Sequence, residues 1–110
     1  MIFVTGGAYQ GKRRFVTDTL GIPEENALFD IHEYIAESIK NGGDPETELF
    51  GILDAGEVAA VTCNELGMGI VPADRAERKR REITGRIACR IAERADEVYR
   101  VVCGIPVKLK

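Results

Sequence analysis

The chain has 110 residues, 45% of them hydrophobic and 30% charged, a balance that fits one globular domain over 1–110 and excludes a disordered tail or two independent domains. Its formal net charge of −3 gives no bulk attraction for nucleic acid or an anionic membrane. No apolar run approaches the ~20 residues of a membrane span, and the start lacks the basic-then-apolar plan of a signal peptide. The expected address is therefore the cytoplasm, with neither nucleic acid nor membrane as a partner.

The first element is a short apolar strand, Met1 to Thr5, which ends in the glycine pair Gly6-Gly7. A helical stretch follows and closes at Gly21-Ile22-Pro23, where glycine can end a helix and proline cannot continue one. Asn26 to Asp30 (NALFD) reads as a second strand, leading into a helix with Ile31, Ile35 and Ile39 spaced four apart and Tyr34 alongside. Asn41-Gly42-Gly43 breaks the chain, and Asp44-Pro45-Glu46 restarts it as a helix with a capping side chain, a first-turn proline and first-turn acid.

Glu57 to Cys63 (EVAAVTC) is apolar on both faces, as a central parallel strand covered from both sides must be. After the glycine-rich stretch NELGMGIVP comes the longest helix, about Ala73 to Ala95, with Ile83, Ile87 and Ile91 on one face. Two strands finish the chain, Val98 to Cys103 and Pro106 to Lys110. Strands alternating with helices favour crossover connections, so the expected fold is α/β with a mainly parallel sheet. Three cysteines form no CxxC pair, and Cys63 and Cys103 lie in apolar strand-like runs, so buried thiols are expected.

Between the first strand and the first helix stands GGAYQGKRR, Gly6 to Arg14. Glycines at 6, 7 and 11 let backbone amides turn inward around a phosphate, Lys12 can reach the outer phosphates, and the helix contributes its positive end. This strand, loop and helix order makes Gly6, Gly7, Gly11 and Lys12 candidate phosphate-binding residues. Arg13 stands where a Ser or Thr hydroxyl would ligate magnesium. A guanidinium cannot hold a cation, but it can donate to a phosphate as a fixed charge. Phosphate binding by Arg13 and impaired magnesium binding are both expected.

Asn64-Glu65 follows the central strand directly and so lies at the carboxyl edge of the sheet, where ligands of open α/β folds bind. Glu65 can accept from a ribose hydroxyl or help hold a metal, and Gly67 and Gly69 let the backbone pass close to a ligand. The long helix carries many arginines interleaved with Glu77, Glu82 and Glu93, mostly a solvated face of acid–base pairs. Near its start, Arg75 and Arg78 are candidates to bind a phosphate of nucleotide or substrate.

GGAYQGK, NELGMGIVP and GRIACRIAERADEVYRVVCGIPVKLK resemble the adenosylcobinamide kinase / adenosylcobinamide-phosphate guanylyltransferase family over essentially the whole C-terminal half. The N-terminal half matches at the loop and more faintly at ALFDIHEYI. The resemblance implies a P-loop NTPase-like three-layer α/β fold, commonly trimeric, that uses ATP or GTP to phosphorylate adenosylcobinamide and then transfers GMP through a guanylylated histidine. By position it implies phosphate binding at Gly6, Gly11 and Lys12, a metal near Asp30, and Glu65 beside the nucleotide. Magnesium would be held by Asp30 or Glu65, with Lys12 stabilising transferred charge.

The departures from the family pattern are equally specific. The chain is shorter than the usual member between the loop helix and NALFD, where the family carries its nucleophilic histidine, so loss of the guanylyl transfer is expected. The single histidine, His32, does not match that motif and reads as a surface or packing residue. A family asparagine in the long helix is Ala88 here, and an aromatic position is Arg80. Two readings follow: a reduced kinase-type enzyme, or a non-catalytic nucleotide- or corrinoid-binding relative acting as regulator or subunit.

Overall fold

The computed structural model describes residues 1–66 and 73–110. Gly67 and Gly69, expected to shape a ligand loop, lie outside the described residues. Five strands form one sheet in the order β2-β3-β1-β4-β5: β1 Ile2–Gly6, β2 Ala27–Leu28, β3 Ala60–Asn64, β4 Glu97–Val102 and β5 Ile105–Lys108. The pairings β2/β3, β3/β1 and β1/β4 are parallel, and only the β4/β5 hairpin is antiparallel. The chain is therefore α/β with a mainly parallel sheet, consistent with a P-loop NTPase-like fold.

Three helices cover one face of the sheet: α2 Ile31–Lys40, α3 Pro45–Asp54 and α4 Arg75–Arg94. Ile31, Ile35, Leu49, Ile87 and Ile91 pack there on Phe3, Val61, Cys63 and Val98. The opposite face, Val4, Ala60 and Val101, is covered by Phe15 and Val16 from the segment after the loop. This makes three layers, with the second helical layer much thinner than the first. Tyr34, expected beside the isoleucines, is 41% exposed instead, because its neighbour Ile35 takes the inward position and one residue turns a helix by about 100°.

The expected central strand, long helix and last strand appear with shifted ends, as Ala60–Asn64, Arg75–Arg94 and Ile105–Lys108, and two larger differences have local causes. The segment after the loop is α-helical only over Lys12–Arg14 (α1) and continues as a π-helical turn at Phe15–Thr19, where the Leu20 N–H donates to Phe15 O at 2.9 Å. That wider turn sets Phe15 and Val16, adjacent in sequence, against the same sheet face. The strand expected at Asn26 to Asp30 shortens to Ala27–Leu28, because Asn26 closes a 3₁₀ turn and Asp30 adopts a left-handed conformation with φ of 56°. Asp44 caps α3 as expected, its side chain accepting from Thr47 N–H, with Pro45 in the first turn.

The expectation of buried thiols holds for Cys63 and fails for Cys89 and Cys103, which are exposed. Cys89 points outward from α4. Cys103 and Gly104 both have positive φ (50° and 77°) and form the two-residue turn between β4 and β5, so the apolar run ends one residue before the cysteine. The arginines of α4 divide their partners. Glu77 pairs with Arg80 and Arg81 within the helix, whereas Arg86 and Arg90 reach Glu46 and Arg94 reaches Asp54 on α3. Among the described residues, no helix is long and apolar enough to cross a membrane.

Candidate functional site

The glycine loop connects β1 to α1 at the carboxyl edge of the sheet. Gly6 is buried with φ of 150°, and a Cβ there would stand 2.5 Å from Val101 O. Only glycine lets β1 leave the sheet so close to β4. Gly11 ends the loop at φ of 94°, a left-handed conformation that turns the chain into α1. The loop is fastened from outside by Gln10: its side-chain Oε1 accepts from Cys103 N–H at 2.6 Å, and its main-chain O accepts from Gly104 N–H at 2.8 Å. The β4–β5 turn is thus fastened to the loop at Gln10 by both bonds.

Lys12 is buried, and its Nζ donates to Gly7 O at 2.6 Å, so the ammonium lies across the mouth of its own loop. Burial lowers its pKa, while Asp30, Cys63 and Glu65 act in the opposite direction. Gly11, Lys12, Arg13, Asp30, His32 and Asn64 contribute to a cavity of about 520 Å³ between the loop and the start of α2. The fold therefore brings together four of the sequence-predicted residues, Gly11, Lys12, Arg13 and Asp30. Asp30 is fixed at the lip by its own N–H, which donates to Thr62 Oγ1 at 2.8 Å.

Glu65 is placed differently. Its N–H donates to Gly6 O at 2.8 Å, but its carboxylate forms a two-point ion pair with Arg100, Nε to Oε1 at 2.8 Å and a second nitrogen to Oε2 at 3.2 Å. This pair lines a smaller recess of about 210 Å³ on the other side of the loop, shared with Gly7. Arg75 and Arg78 lie exposed in the first turn of α4, where Arg78 donates to Ala73 O at 3.0 Å. Arg13 directs its guanidinium onto the Phe29 ring, 4.1 Å from the centroid, and toward Glu24 at 3.9 Å.

Magnesium is the metal the resemblance implies, and among the described residues the donors form no ligand set that would hold it without the phosphates of a nucleotide. The hydroxyl position is a guanidinium, Glu65 is engaged by Arg100, and Asp30 alone of the expected pair borders the main cavity. Among the described residues no group of three His, Cys, Asp or Glu is arranged to hold a metal.

Sequence reasoning missed three participants. His32, read as a packing or surface residue, is buried but lines the cavity, and its Nδ1 accepts from Asn64 N–H at 3.1 Å. Its signal was its position two residues after Asp30, at the strand-to-helix junction. Arg100 was signalled by a charge inside the apolar run VYRVV. Gln10 carried no signal, since its bonds depend on a turn 93 residues away.

A profile described as cobinamide kinase / cobinamide phosphate guanyltransferase matches residues 46–109. The bifunctional adenosylcobalamin biosynthesis protein CobU of Salmonella typhimurium is 56% identical over 54 residues, which cover 49% of this chain and 29% of that protein. The protein of the same description from Escherichia coli is 52% identical over 54 residues, with the same two shares. The matched stretch thus spans under a third of each relative, and the profile match begins after the glycine loop.

Proposed function

Because the chain belongs to the cobinamide kinase / cobinamide phosphate guanyltransferase family, we propose that it is a nucleotide-binding protein of cobalamin biosynthesis whose glycine loop grips the phosphates of ATP or GTP. The placement of Lys12 carries this reading. A buried ammonium resting on a loop carbonyl is poised to exchange that carbonyl for phosphate oxygens, and low local dielectric strengthens the attraction. A bound polyanion favours the charged lysine that burial disfavours.

In the catalytic form of this reading, the terminal phosphoryl group passes from ATP or GTP to the hydroxyl of adenosylcobinamide, releasing the nucleoside diphosphate and giving the hydroxyl proton to solvent, while Lys12 stabilises charge on the transferred group. Glu65 supports the loop from Gly6, and Arg75 and Arg78 supply further phosphate contacts. Guanylyl transfer is lost, since the single histidine, His32, does not match the motif of the family's nucleophilic histidine, and its unprotonated ring nitrogen faces the Asn64 N–H instead of the cavity. The protein acts in the cytoplasm as a homo-oligomer, a trimer by the pattern of its family. The stacking of Arg13 on Phe29 favours a second reading, a nucleotide- or corrinoid-binding regulator or subunit without turnover.

Isothermal titration with ATP and GTP, with and without magnesium, tests both readings. Binding that magnesium strengthens little is expected, and Lys12→Ala should weaken it at least tenfold. Unchanged affinity in that variant removes the phosphate-loop reading. Turnover with adenosylcobinamide that Arg13→Ser preserves or raises selects the enzyme; triphosphate binding without turnover in either form selects the regulator.

A further inference from the structure

His32 is the one buried imidazole on the cavity, and its bonding leaves a single chemical possibility for the neutral ring. The Asn64 backbone N–H can only donate, so Nδ1 must present a lone pair, and the ring proton resides on Nε2. The ring lines the cavity shared with Lys12 and Asp30, and among the described residues no protein group accepts from Nε2. Burial, with Lys12 and Arg80 nearby, keeps the ring neutral against the pull of Asp30 and Glu33. The cavity wall therefore carries a fixed N–H donor held by two independent constraints, the packing of α2 and the last residue of β3.

We propose that His32 binds the polyphosphate: its Nε2–H donates to an oxygen of the terminal phosphoryl group held by Lys12. This rests on the phosphate-loop reading above. The same bonding excludes two other roles in this tautomer. A nucleophile or a general base needs an unprotonated ring nitrogen facing the ligand, and the one unprotonated nitrogen here faces Asn64. His32 is a binding donor at the end of the phosphate chain, opposite the loop.

Two measurements test this on the full chain. In ¹⁵N correlation spectra of the free protein, His32 should show the Nε2–H tautomer, and saturating ATP or inorganic tripolyphosphate should shift Nε2 while Nδ1 stays nearly fixed. In titrations, His32→Asn, which retains an acceptor for Asn64 but cannot reach the ligand, should lose about tenfold in affinity for both probes. His32→Gln, whose terminal amide extends to the Nε2 position, should recover most of that loss. A mute Nε2, or full affinity in His32→Asn while Lys12→Ala abolishes binding, overturns the role of His32 and leaves the loop reading standing. Unchanged affinity in Lys12→Ala overturns both together.

Discussion

Single backbone positions decide whether the loop can exist. Gly6 combines a positive φ with an approach to β4 that leaves no room for a methyl group, since the contact would fall on a main-chain oxygen and not on a movable side chain. Gly6→Ala should therefore cost roughly 1–3 kcal/mol, as overpacking against rigid neighbours does, and displace the end of β1 from Val101. Chemical denaturation should show a lower midpoint with an unchanged slope. Gly21→Ala, at a positive φ but with nothing within 4 Å of the added carbon, should be milder, and equal losses at the two sites would show that the approach to β4 is not the limiting contact. The GxxxxGK spacing made both loop glycines readable from sequence. What it could not convey is which neighbour makes Gly6 obligatory, because Val101 meets it only once β4 is laid beside β1.

At the scale of elements, the β4–β5 hairpin acts as an outer brace for the loop through Gln10. Cys103 N–H is bonded to the Gln10 side chain, whereas Gly104 N–H is bonded to the Gln10 main chain. Gln10→Ala removes the first bond and leaves the second. A side-chain bond of this kind contributes about 1 kcal/mol, so amide exchange at Cys103 should quicken by about fivefold while Gly104 changes little. Equal acceleration at both amides would show that the whole turn had detached. The helices and the order of strands were legible here because period-four isoleucines, Asp44-Pro45 and the doubly apolar EVAAVTC report the layers they face. The hairpin turn was not: Cys103-Gly104 looks like the end of an apolar strand, and only the opposing strand β5 forces both residues into positive φ. The π-helical turn was equally hidden, since it answers the need of Phe15 and Val16 to meet one sheet face together.

For the molecule as a whole, the start of α2 is tied to β3 by the bond from Asp30 to Thr62 and, at the wall of the cavity, by the bond between His32 and Asn64. The sequence displayed every residue of the cavity but not this closure, because residues 32 positions apart meet only through the parallel pairing of β2 with β3. Its pH dependence has a definite sign. Burial lowers the His32 pKa from the ordinary value of 6.5, so below that value the unfolded chain binds a proton more readily than the folded one. Stability from the neutral ring is thus fully present above pH ~6.5 and is lost as pH falls through the range beneath it, with a slope no steeper than about 1.4 kcal/mol per pH unit for a single proton. Asp44 and Asp96, whose pKa values are lowered by Thr47 and by the N-terminal ammonium, and Glu77, lowered by Arg80, contribute in the same direction only at more acidic pH. Denaturant midpoints measured from pH 7.5 to 5 should therefore fall for the native chain and stay nearly level for His32→Gln. Parallel curves for the two proteins would mean that the α2–β3 tie does not depend on a neutral imidazole, and that the acid sensitivity belongs to other groups.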